Sequence, residues 1–112
     1  MACFVALWLP GPASAQRVDR TKLDCRIGPI ARTYGGSSWL VYSCDDNLTV
    51  VIAAVPGSPA APFYFMFVPE QGVYQLRGEG TGKRSATEPA YNQLRLFTGP
   101  EIAALIAATR KR

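Results

Sequence analysis

The run Phe63-Tyr64-Phe65-Met66-Phe67-Val68 constrains the fold of this chain more than any other segment. Side chains alternate along a strand, so Phe63, Phe65 and Phe67 share one side and Tyr64, Met66 and Val68 the other. A strand that is apolar on both faces belongs in mid-sheet, covered from both sides. The rest of the chain must therefore supply neighbouring strands and something to cover them.

The strands come first. Residues 26–33 form a weak first strand, ended by Tyr34-Gly35-Gly36-Ser37. Residues 38–44 form a stronger one, with Trp39, Val41 and Ser43 on one side and Leu40, Tyr42 and Cys44 on the other. Asp45-Asp46-Asn47 turns the chain, because these side chains bond their own backbone and tolerate left-handed geometry. The β-branched run over residues 48–55 then completes a hairpin. Prolines 56, 59 and 62 make the following stretch a loop. After the apolar strand, Gln71-Gly72 turns into a last strand over residues 73–78.

Helical signals appear only near the end. Ser85-Ala86-Thr87-Glu88 matches a capping box, with Pro89 offering Thr87 as an alternative start. Ala90, Leu94 and Phe97 then fall on one stripe. Thr98-Gly99-Pro100-Glu101 is a cleaner cap, followed by the apolar face Ile102, Leu105 and Ile106 and by Arg110-Lys111-Arg112 at the negative end of the helix dipole. Strands followed by helices predict an α+β fold. The expected architecture is an antiparallel β-meander of four to five strands followed by two C-terminal helices packed on one sheet face. The N-terminal arm, sheet curvature or a partner chain could cover the second face.

Residues 1–15 stand apart from this domain. Residues 1–9 are uncharged and apolar, Pro10, Gly11 and Pro12 break the run, and Ala13-Ser14-Ala15 offers the small residues signal peptidase needs. The run opens without the usual Lys or Arg, and it is too short for a membrane-spanning helix, which takes about 20 apolar residues. The expected organisation is a signal peptide over residues 1–15, cleaved after Ala15, and a single domain over residues 16–112 with a basic arm at about 16–24. Cys3 does not follow the apolar run, where a lipid-anchored Cys would lie. Its removal leaves Cys25 and Cys44, an even pair that reads as a disulfide in a small exported domain. Closing that loop contributes about 3 kcal/mol by chain entropy. The predicted location is periplasmic or secreted.

The chain has no histidine. That removes Ser-His-Asp and Cys-His nucleophile activation and the commonest zinc ligand. Carboxylates remain, and a small carboxylate hydrolase is the alternative to a binding protein, although no pair of acids is singled out as catalytic. No metal site or cofactor is expected. Gly78-Glu79-Gly80-Thr81-Gly82-Lys83-Arg84-Ser85 sits where a phosphate cradle would sit, but lacks the phosphate-loop spacing. Gly80, Gly82, Lys83 and Arg84 are retained as a candidate anion site. Residues 33–76 contain no Lys or Arg and three acids, so the flanks carry +7 and the net charge is +4. Those basic residues are not interleaved with aromatics as single-strand binding would require, and no specific nucleic acid is expected. The aromatic segment holds more apolar surface than two short helices cover. Trp39, Tyr42, Tyr64, Met66 and Tyr74 are therefore the candidate interaction face, for another envelope protein or a weak homodimer.

Tyr42-Ser43-Cys44-Asp45-Asp46 and the strand after it resemble the openings of exported bacterial lysozyme inhibitors, which are small disulfide-linked β proteins. The chain departs from that family in lacking its Ser-Ala-Ser-Gly loop and a C-terminal Cys, and in ending with helices. Taken with Pro62-Phe63-Tyr64-Phe65-Met66-Phe67, Gly78-Glu79-Gly80-Thr81-Gly82 and Glu101-Ile102-Ala103-Ala104-Leu105-Ile106, the same segment resembles small uncharacterised exported proteins of Gram-negative bacteria. That likeness implies an envelope location and carries no activity with it.

Export makes a direct prediction. Intact mass of the protein purified from periplasm should begin at Gln16, with alkylation of both domain cysteines only after reduction. A full-length product with free thiols would refute it.

Overall fold

The computed structural model describes residues 23–111. The expected signal peptide, and the basic arm up to residue 22, lie outside the described residues. Five strands come first: β1 (Ile27–Tyr34), β2 (Ser37–Ser43), β3 (Val50–Ala54), β4 (Phe63–Glu70) and β5 (Val73–Gly80). Two helices follow, α1 (Arg84–Leu94) and α2 (Gly99–Arg110). The strands pair in chain order, β1-β2-β3-β4-β5, and every pair is antiparallel. The fold is thus an α+β meander with both helices against the sheet.

Turn chemistry fixes the register. Between β2 and β3, the Asp46 carboxylate accepts from the Leu48 and Thr49 amides, both at 2.9 Å, and from the Thr49 hydroxyl at 2.7 Å. Partial burial pushes the Asp46 pKa up, but the bonds from Thr49 and Leu48 outweigh it and hold the carboxyl below its ordinary value. Between β4 and β5, Gln71 (φ 52°) and Gly72 (φ 85°) both take positive φ, the requirement of a two-residue type I′ hairpin. Counting back from Glu70 opposite Val73 puts Tyr64 opposite Glu79.

One sheet face builds the core. Trp39, Val41, Val50, Ile52, Phe65 and Phe67 are buried there against Ala86, Ala90 and Leu94 of α1 and Ile102, Leu105 and Ile106 of α2. Its aromatics pack tilted and stacked, Trp39 on Phe65 at 5.3 Å and 46° and Phe67 on Phe97 at 5.8 Å and 21° between centroids and ring planes. One buried polar contact crosses the layers: Ser43 Oγ lies 2.7 Å from Thr109 Oγ1, which donates to the Ile106 carbonyl at 2.6 Å. Coverage of β4 from both sides, expected from its composition, holds on this face only. Among the described residues no element packs on the other.

The helix starts differ in how local they are. Thr98 and Glu101 form the expected capping box of α2, the Glu101 carboxylate accepting from the Thr98 amide at 2.8 Å. The box expected at Ser85 is not used. α1 starts earlier, at Arg84, with Lys83 as an N-cap that makes no side-chain bond. The Lys83 amide instead donates to the Pro59 carbonyl at 3.1 Å, and the Lys83 carbonyl accepts from Ala86 and Thr87. A contact with the loop before β4 sets the start, overriding the local signal.

The Cys25–Cys44 disulfide forms as expected, tying the segment before β1 to the end of β2. Asp45 donates to the Asp24 carbonyl beside it at 2.8 Å, and Arg110 donates to the Cys44 carbonyl at 3.1 Å. The last turn of α2 is thereby joined to the stapled corner.

The β1–β2 turn docks on α1. Gly35 (φ 59°) would place a Cβ 2.3 Å from the Ala90 nitrogen, and its amide donates to the Gln93 side chain at 2.9 Å. Gly36 (φ 83°) faces open space. Gly36→Ala should therefore cost about 1 kcal/mol, the left-handed penalty alone, and Gly35→Ala at least about 2 kcal/mol more from the backbone clash. Urea unfolding midpoints measure the difference; equal midpoints would mean that the turn does not bear on α1.

Candidate functional site

The alternation that builds the core leaves a second apolar face. Leu40 lies opposite Ala53, Ala53 opposite Tyr64, and Tyr64 opposite Glu79. The next row runs Tyr42, Val51, Met66, Arg77. None of these side chains is buried, and Tyr64 is 39% exposed. Of the candidate interaction residues, Tyr42, Tyr64 and Met66 come together on this open face.

Trp39 and Tyr74 do not belong with them. Trp39 is wholly buried, its indole N–H donating to the Tyr34 carbonyl at 3.1 Å. Tyr74 lies opposite Pro69, so its ring meets Phe67 edge-on at 6.3 Å on the helix side, and its hydroxyl donates to the Leu48 carbonyl at 2.7 Å. Burial first, and then the Asp46 charge, raise the Tyr74 pKa. The physical reason is parity: Trp39 and Tyr42 are an odd number of residues apart on one strand, so they cannot share a face.

The open face deepens where β3 leaves it. An open cleft of about 750 Å³ lies between the loop after β3 and the ends of β4 and β5. Ala53, Pro56, Pro62, Phe63 and Tyr64 give it apolar walls, and Ser58 and Glu79 also line it. The loop is fixed in place: Ala60 is buried in the core, and the Pro62 carbonyl accepts from the Thr81 and Gly82 amides at 2.9 and 3.0 Å. Sequence reasoning passed over Ser58 and did not single out Glu79 from the other carboxylates. Glu79 was within reach of it, because a two-residue turn at Gln71-Gly72 fixes the register by counting.

Glu79 differs from the other carboxylates. Asp24, Glu70 and Glu88 pair with Arg26, Arg77 and Arg84. Asp45, Asp46 and Glu101 accept from backbone amides. Glu79 is held only by the Tyr64 hydroxyl, which donates to it at 2.9 Å. That bond, and then the carboxylate charge, raise the Tyr64 pKa.

The candidate anion site is arranged otherwise than its sequence suggests. An anion cradle needs free backbone N–H groups. Here the amides of Thr81, Gly82 and Lys83 donate to the Pro62 and Pro59 carbonyls. Gly80 is paired with Phe63 in the sheet, and Arg84 binds Glu88 at 3.3 Å. Gly82 serves packing, since a Cβ there would fall 1.7 Å from the Ala60 oxygen.

Each of the three clefts described contains a single acid: Glu79 in the largest, Glu88 beside Arg84 in a second, and Asp46 in the third, where Leu23 meets Met66 and Val68. Among the described residues no group of three or more Cys, Asp or Glu side chains is placed to hold a metal ion, and no helix is long and apolar enough to cross a membrane. No protein-family model, curated protein or solved structure matches the chain.

The Tyr64–Glu79 pair is directly testable. Glu79→Gln should lower the Tyr64 pKa toward that of a free phenol and leave Tyr74 where it is. A pH titration of carbon-13-labelled tyrosine rings reads both; an unmoved Tyr64 would show that the bond does not form in solution.

Proposed function

We propose that this chain is a non-enzymatic exported protein of the periplasm that binds another envelope protein through its open sheet face. The observation that carries this reading is the continuous apolar surface of Leu40, Tyr42, Val51, Ala53, Tyr64, Met66 and Val68, on which no helix or strand packs among the described residues, with Leu23 reaching Met66 and Val68 at one edge. Tyrosine and methionine are enriched in protein interfaces, and an apolar centre with a polar rim is their usual anatomy. Here the rim is Glu70, Arg77 and Glu79 on one side and Thr33 and Ser38 on the other. A single carboxylate in each cleft supports binding over hydrolysis, since glycoside hydrolysis uses two carboxylates about 5–9 Å apart. The disulfide supports an oxidising compartment.

A photo-reactive phenylalanine analogue tests the reading in living cells. Placed at Val51, on the open face, it should give one dominant adduct with an envelope protein. Placed at Ala103, on the exposed side of α2, it should give none. Adducts of equal yield from both positions, or none from Val51, would overturn it. An adduct at twice the monomer mass would assign the face to a second copy and overturn it as well.

A further inference from the structure

We infer that the cleft beside Glu79 receives a basic side chain of the partner protein, its apolar stem against the cleft walls and its cation on the carboxylate. The inference rests on the binding role proposed for the open face and names the chemistry that one end of that face recognises.

Two observations converge on it. The first is charge. Every other described carboxylate is met by a guanidinium or a backbone amide, whereas Glu79 has only a phenol. The cleft lining contains no Lys or Arg. The nearest cation along β5, Arg77, is paired with Glu70. A neutral apolar occupant would strip water from Glu79 and leave its charge unpaired, which is costly, and an anion would be repelled. A cation both donates a charge-assisted hydrogen bond to the carboxylate and neutralises its charge.

The second is shape and polarity. The walls are Ala, Pro and aromatic side chains, and about 750 Å³ exceeds what one side chain fills. Lysine and arginine suit such a wall, since their methylene stems pack on apolar surface while the charged head reaches a polar end. The Tyr64 ring lies in the same lining and gives a cation a favourable face.

The third cleft offers a contrast: its acid, Asp46, is already occupied by the Leu48 and Thr49 donors.

The test uses three probes that share a six-carbon chain: hexylammonium, hexanol and hexanoate. They are titrated into the full mature protein while amide shifts are followed. Hexylammonium should shift Ala53, Ser58, Tyr64 and Glu79 and bind about five-fold or more tightly than hexanol, a modest preference fitting a partly solvated pair. Hexanoate should bind more weakly than either. Glu79→Gln should abolish the preference and leave hexanol affinity unchanged, and added salt should weaken only hexylammonium. Equal affinity for hexylammonium and hexanol, or shifts confined to other residues, would overturn the inference. So would cleft shifts that grow with protein concentration alone, which would give the site to a second copy. Failure of the wider reading looks different. An adduct from Val51 that hexylammonium does not suppress leaves the binding face standing and removes the basic side chain from it, whereas no adduct removes the face itself.

Discussion

A sheet has two faces, and the two helices among the described residues cover one. α1 has 11 residues and α2 has 12, so at 1.5 Å per residue each is about 17 Å long. The helical layer rests mainly on β1, β2 and β3 and reaches β4 through Phe65 and Phe67, and among the described residues it leaves the other face without cover. Everything else follows from which face it takes. Trp39, Phe65 and Phe67 are the largest side chains of the central strands that share a parity, and the helices bury them. Tyr42, Tyr64 and Met66 have the opposite parity and stay accessible.

The cleft and the closed glycine segment are two consequences of one set of bonds. The loop after β3 contains three prolines, so its backbone has few donors to offer but retains every carbonyl. Pro59 and Pro62 carbonyls accept the amides of Thr81, Gly82 and Lys83. Those bonds draw the loop onto the connection from β5 to α1 and exhaust the donors that could have held an anion. They also hold the loop clear of Ala53 and Tyr64, which leaves the cleft open between them. Glycine at position 82 permits the approach, because any Cβ there would meet the Ala60 carbonyl.

Local chemistry made most of the fold legible in the sequence. Asp46 and Gln71-Gly72 mark their turns by residue type, Thr98-Gly99-Pro100-Glu101 marks a helix start, and Cys25 and Cys44 mark the staple. What the sequence hid were outcomes of contacts distant along the chain. α1 begins at Arg84 and not at Ser85 because Lys83 is bonded to Pro59, 24 positions earlier. β4 is apolar on both sides, yet among the described residues the helices cover only its Phe face, because composition measures what could be buried and not what is there to bury it. Tyr74 and Tyr64 look alike in the sequence; only the β4–β5 register places them on opposite faces. Glu79 was readable from that register, but its isolation from every arginine was not.

The charge pattern gives the open face a direction. Residues 33–76 contribute no cation and three acids, and Asp45 and Asp46 are taken up by the turn after β2 and its surroundings. The middle strands therefore present an apolar surface without charge of either sign, and the β1 side ends in Thr33 and Ser38. On the β5 side the Arg77–Glu70 pair neutralises itself. Among the described residues Glu79 is then the one charge on the face without an ionic partner, and it sits at one corner. A partner lying flat on uncharged apolar surface has little to fix its orientation, because apolar contact is non-directional. One charged corner breaks that degeneracy, since charge complementarity contributes register and specificity more than affinity.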